Sequence, residues 1–352
     1  MKSLNLKLKI KVNKYLYLLV LSFSFLSFLF LNRERLFMKF DPEVVNRYLR
    51  SQDIEDTENK IKDRIFISDA DIYIASGYLY VAGSDPASLN LHPPLIKYLF
   101  GLSSRYFNMP LLPNIIFAGL LLFEVYILGK LAFKNELVGL IASLLLLIDP
   151  VFKEVTIYAL LDLGQMVFIL GFLIFNLKSQ GPTLLSPTLL SGVLLGLACA
   201  SKFYSPVIIF LGIIYLYKFF RRQLDIYHEL KVLLFAFLTF SICYIGAFPF
   251  NIFAYQARVL KFMLTHNGAV EWGGVLSMFI KGYFLWPVLF FSNLYQLFRS
   301  KFSNDSFLFY LLPIIYILIA TFQLPFTRYF ILILPFLYLS FSNLICEKLL
   351  PH

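Results

Sequence analysis

The stretch from Ile67 to Ser103, ISDADIYIASGYLYVAGSDPASLNLHPPLIKYLFGLS, holds the densest set of side chains able to do chemistry. Asp69 and Asp71 stand two apart, ahead of a Tyr-rich segment. Carboxylates so spaced can do two things. One can take a proton from an acceptor hydroxyl as general base, or the two can hold a divalent cation. The plainer alternative is a solvated loop in which Ser68 or Asp69 caps a helix. His92-Pro93-Pro94-Leu95 follows, with Lys97 just beyond. Two prolines enforce an extended turn, and a helix starts at Leu95. Lys97 then lies one turn in, placed for a phosphate. The competing reading is a membrane-entry turn with a capping His.

Four more positions stand out because they put charge in or beside long apolar runs. An ionisable side chain inside a bilayer costs about 2.5–3.5 kcal/mol on insertion scales and needs a reason to be there. Asp162 follows Leu160-Leu161 and precedes a long apolar run. It either locks two helices through a cation or shapes a polar pocket at the lipid–water boundary. Glu124 stands alone in its run and is expected to pair with Lys130 or a facing polar group. Lys202 closes SGVLLGLACASK (191–202), where Gly192 and Gly196 form a small-xxx-small face for close helix packing. Arg328 sits in PFTRYF ahead of the last apolar run. Lys202 and Arg328 can snorkel to the interface or meet a lipid phosphate at head-group depth. Trp286-Pro287 and the tyrosines suit an interfacial aromatic belt, with sugar stacking as the functional alternative.

The elements that must hold these residues are read from composition. Of 352 residues, 59% are hydrophobic and 15% charged, with a mean hydropathy of +0.74. Apolar runs of about 17–25 residues, each long enough to cross a hydrocarbon core of about 30 Å, recur along the chain. The expected fold class is all-α, a polytopic transmembrane protein of one domain over 1–352. The first span is 15–31. A long polar loop over 33–112 carries juxtamembrane helices, and the remaining spans lie over 113–346. Placed near 113–131, 135–150, 155–177, 184–201, 204–219, 230–249, 282–298, 307–324 and 329–346, they bring the total to about ten. A cleaved signal peptide competes for the N-terminus, but the run exceeds a usual apolar core and no A-x-A site follows. The charged stretch 41–64 reads as an amphipathic surface helix or as a lid.

The net charge of +10 is expected to serve orientation and anionic lipid, not nucleic acid. Cys199, Cys243 and Cys346 form no CxxC pair and no disulfide framework. No Walker A loop or dinucleotide fingerprint is present. With the N-terminus in the cytoplasm, Lys130, Lys134, Lys178, Lys218, Arg221, Arg222, Arg299, Lys301 and Lys348 all fall inside, the positive-inside pattern. Asp69, Asp71, His92, Asp149, Lys202, His266, Glu271 and Arg328 then gather at the outer boundary, with Asp162 about two turns in. The expected location is a cytoplasmic membrane with the site on the outer side.

In their order these motifs resemble those of the GT-C fold glycosyltransferases, closest to the protein O-mannosyltransferase-like group. Asp69-Ala70-Asp71-Ile72-Tyr73 resembles the acidic first-loop motif of that group, and His92 to Lys97 resembles its HPPLGK. Asp149-Pro150 through Thr156 to Asp162 resembles its D…SRyxLLD, and Gly192 through Lys202 its GxxxGxxxxxxK. The stretches Tyr283 to Pro287 and Arg328-Tyr329 are fainter likenesses. Three positions differ: Asp-Ala-Asp stands for Asp-Glu, Ile96 for the Gly of HPPLGK, and Ile157 for the Arg of SRyxLLD.

The resemblance implies a membrane enzyme that moves a sugar, mannose or another hexose, from a polyprenyl-phosphate sugar to an extracytoplasmic acceptor such as a protein Ser or Thr, a lipid or a glycan. It implies an inverting displacement with Asp69 or Asp71 as base. His92, Lys97, Asp162, Lys202 and Arg328 would bind or orient the donor phosphate. The scheme requires no cofactor and no metal, although the two acids leave a divalent cation open. A lipid or solute transporter and a non-catalytic partner of the same fold are the alternatives. The topology predicts that a reporter tag inserted in 41–64 is reached by a membrane-impermeant label in intact cells; labelling only after permeabilisation would overturn the orientation.

Overall fold

The computed structural model describes residues 14–51, 65–84, 89–178, 185–244, 252–265, 279, 282–302, 304, 306–320 and 326–349. In chain order the helices are α1 (Lys14–Leu31), α2 (Arg33–Leu36), α3 (Glu43–Leu49), α4 (Asp69–Val81), α5 (Leu95–Leu102), α6 (Leu112–Phe133), α7 (Glu136–Leu147) and α8 (Pro150–Ile157). They continue as α9 (Asp162–Lys178), α10 (Leu185–Ser201), α11 (Ser205–Phe220), α12 (Ile226–Cys243), α13 (Ile252–Thr265), α14 (Leu285–Arg299), α15 (Ser306–Ala320) and α16 (Leu334–Leu349). A 3₁₀ segment, Thr327–Leu332, precedes α16. No strand occurs among the described residues, only an isolated bridge between Ser51 and Ile65. The all-α expectation therefore holds.

The count of about ten spans does not follow from these helices. Among the described residues, two are long and apolar enough to cross a bilayer, Leu112–Phe133 and Ile226–Cys243. A third arises if the bent pair α8–α9 counts as one span. Several others are shorter over the described residues: α7 has 12 residues and α14 and α15 have 15 each. The expected run over 155–177 is broken, with α8 and α9 meeting at 112°. Asn114 on α6 explains the break. Its amide Nδ2 donates to the carbonyls of Val155, Thr156 and Tyr158 at 3.1, 3.2 and 2.6 Å. These are the C-terminal oxygens that a helix leaves unpaired. The last expected span starts late as well, because 329–332 belongs to the 3₁₀ segment. Of 41–64, only the seven-residue α3 falls within the described residues as helix.

Helices meet where the sequence supplies glycine. A Cβ on Gly77 of α4 would lie 1.9 Å from the Lys97 carbonyl, and one on Gly101 of α5 would lie 2.0 Å from the Gly77 carbonyl. The two backbones therefore touch. Gly192 and Gly196 do the same for α10 against α12, with Val232 O at 2.7 Å and Ala236 O at 2.4 Å from their virtual Cβ atoms. The small-xxx-small reading of that face is correct. On the outside, Leu19, Phe23 and Phe30 of α1 and Tyr227, Leu234 and Phe237 of α12 stand exposed, the surface expected of helices that face hydrocarbon.

Two expectations about single residues change. Lys130 pairs with Glu136 at 2.6 Å, leaving Glu124, whose Oε2 is buried with no hydrogen-bond partner. The cation six residues beyond Glu124 is taken by the acid that opens α7. Trp286 is no belt residue: it is 1% exposed, and its indole donates to Asp149 Oδ2 at 2.9 Å. His266 and Glu271 lie outside the described residues.

The α4–α5 crossing yields a test. Gly77→Leu forces backbone apart, and overpacking of this kind costs about 1–3 kcal/mol. Thermal unfolding of the detergent-solubilised protein should show a lower Tm; an unchanged Tm would count against the crossing.

Candidate functional site

Ser68 starts α4 by capping it, its hydroxyl accepting from the Asp71 amide at 3.2 Å. This places Asp69 and Asp71 in the first turn. Two residues apart on a helix is about 200° of rotation, so the two acids diverge. Asp69 faces Arg328, whose Nη2 lies 2.5 Å from its Oδ2. Asp71 faces the other way, 3.8 Å from Arg47 of α3. Among the described residues, no three His, Cys, Asp or Glu side chains gather as metal ligands would.

The break before α9 puts Asp162 at that helix's N-terminal end, where a carboxylate is stabilised by the helix dipole. Asp162 accepts from the Lys202 ammonium, and its Oδ2 lies 3.9 Å from Arg328 Nε. Four charges thus alternate as Lys202, Asp162, Arg328 and Asp69. Lys202 also sits 4.3 Å from the centroid of the Tyr329 ring. The turn carrying Lys202 is fixed by Gln165, one turn after Asp162, which donates to the carbonyls of Phe203 at 3.0 Å and Ala198 at 3.3 Å.

The two pairs differ in worth. In the Lys202–Asp162 pair the side chains are 8% and 2% exposed, and removing one partner of a buried pair costs about 3–5 kcal/mol. Asp69 is 43% exposed, and pairs open to solvent contribute about 0–1 kcal/mol. Lys202–Asp162 is a fixture, and Arg328–Asp69 is a weak contact that water or a ligand can replace. Burial lowers the Lys202 ammonium, with Asp162 opposing. Burial would also lower Arg328, but Asp162, Tyr73 and Asp69 hold it raised above its ordinary range.

His92 lies beside this quartet. Its backbone N–H donates to Asn90 Oδ1 at 3.1 Å and the Lys97 ammonium donates to the same oxygen at 3.3 Å. The His92 Nδ1 contact to that atom, 3.0 Å, must then be an N–H donation. Nε2 is left as acceptor for the Tyr73 hydroxyl at 3.4 Å. Burial, then the charges of Lys97, Lys202 and Arg328, hold the imidazole well below its ordinary pKa, so the ring is neutral. Burial and the nearby Asp69 keep the Tyr73 phenol well above its ordinary range. The His92 ring packs against Phe203, 4.3 Å between centroids. Tyr255 of α13 donates to the carbonyls of Leu91 and His92 at 2.9 and 3.0 Å, holding the turn.

Of the residues singled out from sequence, the structure brings together Asp69, Asp162, Lys202 and Arg328, with His92 linked to them through Tyr73. Asp71 points away. Lys97 is fully buried and is spent on scaffolding: its ammonium donates to Tyr80 Oη at 2.7 Å and to the Asn90 carbonyl at 2.8 Å. Tyr73, Asn90, Gln165 and Tyr329 are additions. Tyr73 was findable at Asp69 plus four, and Gln165 at Asp162 plus three, since both spacings share a helix face. Asn90, two before His92, is an Asx-turn signal. An apolar cleft of about 260 Å³ runs between α10, α11 and α12, and its wall includes Cys199 and Tyr204, which flank the Lys202 turn.

No protein-family model and no curated protein matches the sequence. Solved structures do match the fold. ArnT from Cupriavidus metallidurans bound to undecaprenyl phosphate superposes with a TM-score of 0.66 at 13% identity. The apo state of the same protein gives 0.64 at 12%. The matches cover 95% of this chain but 60% and 59% of those chains, so this chain spans about three fifths of their length. At such identity the likeness shows the fold alone, the fold of ArnT.

The neutral His92 has a measurable consequence. Its folded pKa lies well below the ordinary 6.5, so below about that pH the unfolded chain binds a proton that the folded chain does not. The stability contribution is complete above pH 6.5 and is lost as pH falls from there. His92→Gln should flatten this part of a Tm-against-pH curve; an unaltered acid limb would contradict the neutral ring.

Proposed function

We propose that this chain is a polyprenyl-phosphate-sugar-dependent glycosyltransferase acting at the outer face of a cytoplasmic membrane. The observation that carries the reading is the alternating quartet Lys202, Asp162, Arg328 and Asp69. Two cations fixed at the edge of a helix bundle suit one lipid phosphate. A half-exposed carboxylate next to them suits an acceptor hydroxyl. The ArnT-like fold and the undecaprenyl phosphate bound by that protein support the lipid donor. The apolar cleft beside the Lys202 turn offers a path for an isoprenoid chain.

The chemistry is one inverting displacement. Asp69 accepts the acceptor's O–H proton as the oxygen attacks the anomeric carbon. The bond from that carbon to the phosphate oxygen breaks, and polyprenyl phosphate departs with the electron pair. Lys202 and Arg328 neutralise the charge that builds on the leaving oxygen, an electrostatic contribution that is often the largest in catalysis. Asp162 holds Lys202 in place and draws Arg328 by its charge, and His92 orients Tyr73 beside them. Of the two acids, Asp69 is favoured as base because it faces the cations, whereas Asp71 turns toward Arg47. Lys97, which donates to Tyr80 and Asn90, takes a scaffolding part in this reading instead of a phosphate contact. No step needs a metal ion. Mannose or another hexose is the proposed sugar and a Ser or Thr hydroxyl of a protein the proposed acceptor.

The test is transfer in proteoliposomes from a set of radiolabelled polyprenyl-phosphate sugars. Loss of a general base costs about 10²–10⁴-fold. Asp69→Asn should fall by that factor and by more than Asp71→Asn. Full transfer by both single variants and the double variant would overturn the assignment of the base.

A further inference from the structure

In the structure Arg328 is committed to the wrong partner for catalysis. Its Nη2 holds the Asp69 carboxylate at 2.5 Å. So held, Oδ2 is engaged by the guanidinium, and its approach to an acceptor hydroxyl is hindered. Arg328 is also incompletely satisfied. Its Nε is buried and has no hydrogen-bond partner, with Asp162 Oδ2 too distant at 3.9 Å. A guanidinium presents its donors as a planar fork that matches a phosphate with two parallel bonds. The resting contacts are Nη2 on Asp69, a hydrogen bond with the Tyr329 side chain and the Phe326 ring at 4.8 Å, and they leave Nε unused.

We propose that Arg328 is a latch that the donor's own phosphate opens. The incoming phosphate takes both Nε and Nη2 of Arg328, drawing the guanidinium off Asp69. Asp69 Oδ2 is thereby released toward the acceptor once the donor is seated. The favoured order is then donor first, acceptor second. The latch hinders the base when no donor is present.

The two neighbouring pairs make Arg328–Asp69 the one that yields. Lys202 and Asp162 are both buried, and neither can be resolvated without moving helices. Asp69 is 43% exposed and, once released, turns to water. Lys202 is further held against the Tyr329 ring. A phosphate can therefore displace Asp69 from Arg328 at little cost, while Lys202 stays and supplies the second positive charge.

This inference rests on the donor and base assigned above, and one experiment separates the two. The measurement is equilibrium binding of sugar-free radiolabelled polyprenyl phosphate to the protein in nanodiscs. The variants are Asp69→Asn, Arg328→Gln and the double variant, each checked for folding by its Tm. If Asp69 competes with phosphate for Arg328, Asp69→Asn should bind about three- to fivefold more tightly than wild type, the scale of an exposed pair. Arg328→Gln should bind more weakly than wild type. The decisive comparison is the double variant. The latch predicts that Asp69→Asn brings no gain in the Arg328→Gln background, because there is no guanidinium left to release. An equal gain in both backgrounds would mean simple charge repulsion and would overturn the latch, leaving the donor reading standing. Unchanged or weaker binding by Asp69→Asn would also overturn it. No binding by folded wild type or any variant would overturn the donor reading, and the latch with it.

Discussion

A carboxylate as deep as Asp162 cannot stand alone, and much of the site follows from that. Its side chain is 2% exposed, so its charge must be matched by cations and by helix amides. The Lys202 ammonium supplies one cation and Arg328 a second, more distant one. To deliver them, the chain brings together three remote places: the start of α9, the turn after α10 and the 3₁₀ segment before α16. The broken span exists at the same point. Had α8 and α9 run on as one helix, Asp162 would sit in a helix middle with its amides already spent. The break, stabilised by the Asn114 amide, exposes a helix N-terminus to it.

The same constraint explains the division of labour among the basic residues. Lys97 and Lys202 are both buried and both follow motifs that suggest phosphate. Lys97 donates to the Tyr80 hydroxyl and the Asn90 oxygens and thereby fixes the turn that holds His92. Lys202 donates to a carboxylate that also lies near Arg328. Only the second arrangement brings two cations to one carboxylate. Lys97 still matters at a distance, since its charge adds to burial in keeping His92 neutral.

Much of this was legible in the sequence, for physical reasons. A charge inside an apolar run is costly, so Asp162, Lys202 and Arg328 announced themselves. Ser68 ahead of an acidic first turn marked the start of α4, and the Gly192–Gly196 spacing marked the close face of α10. The number of spans was less legible. Hydropathy sees an apolar run but not the turn within it, and the bend at Tyr158–Leu161 is set by Asn114, more than forty residues earlier. The partner of Glu124 was misjudged likewise, because Glu136 of the next helix captures Lys130. Trp286 looked interfacial because tryptophan often is; its indole instead satisfies Asp149 alongside the Tyr338 hydroxyl at 2.7 Å. In each case the missing information was a polar contact to another element, which hydropathy does not encode.

Charge balance ties the site to its proposed ligand. Lys202, Arg328, Asp162 and Asp69 sum to zero, and His92 and Tyr73 add nothing while neutral. An empty site of zero net charge is tolerable at the edge of a hydrocarbon layer, where a bare pair of cations would not be. The arrangement also limits what can enter. A phosphodiester brings one negative charge, and the proton that reaches Asp69 offsets the second charge that builds on the departing phosphate. A diphosphate brings more negative charge than two already engaged cations can offset. The quartet is thus matched to a single phosphate, and the stable Lys202–Asp162 pair allows the weaker Arg328–Asp69 contact to be exchanged without unfolding the site around it.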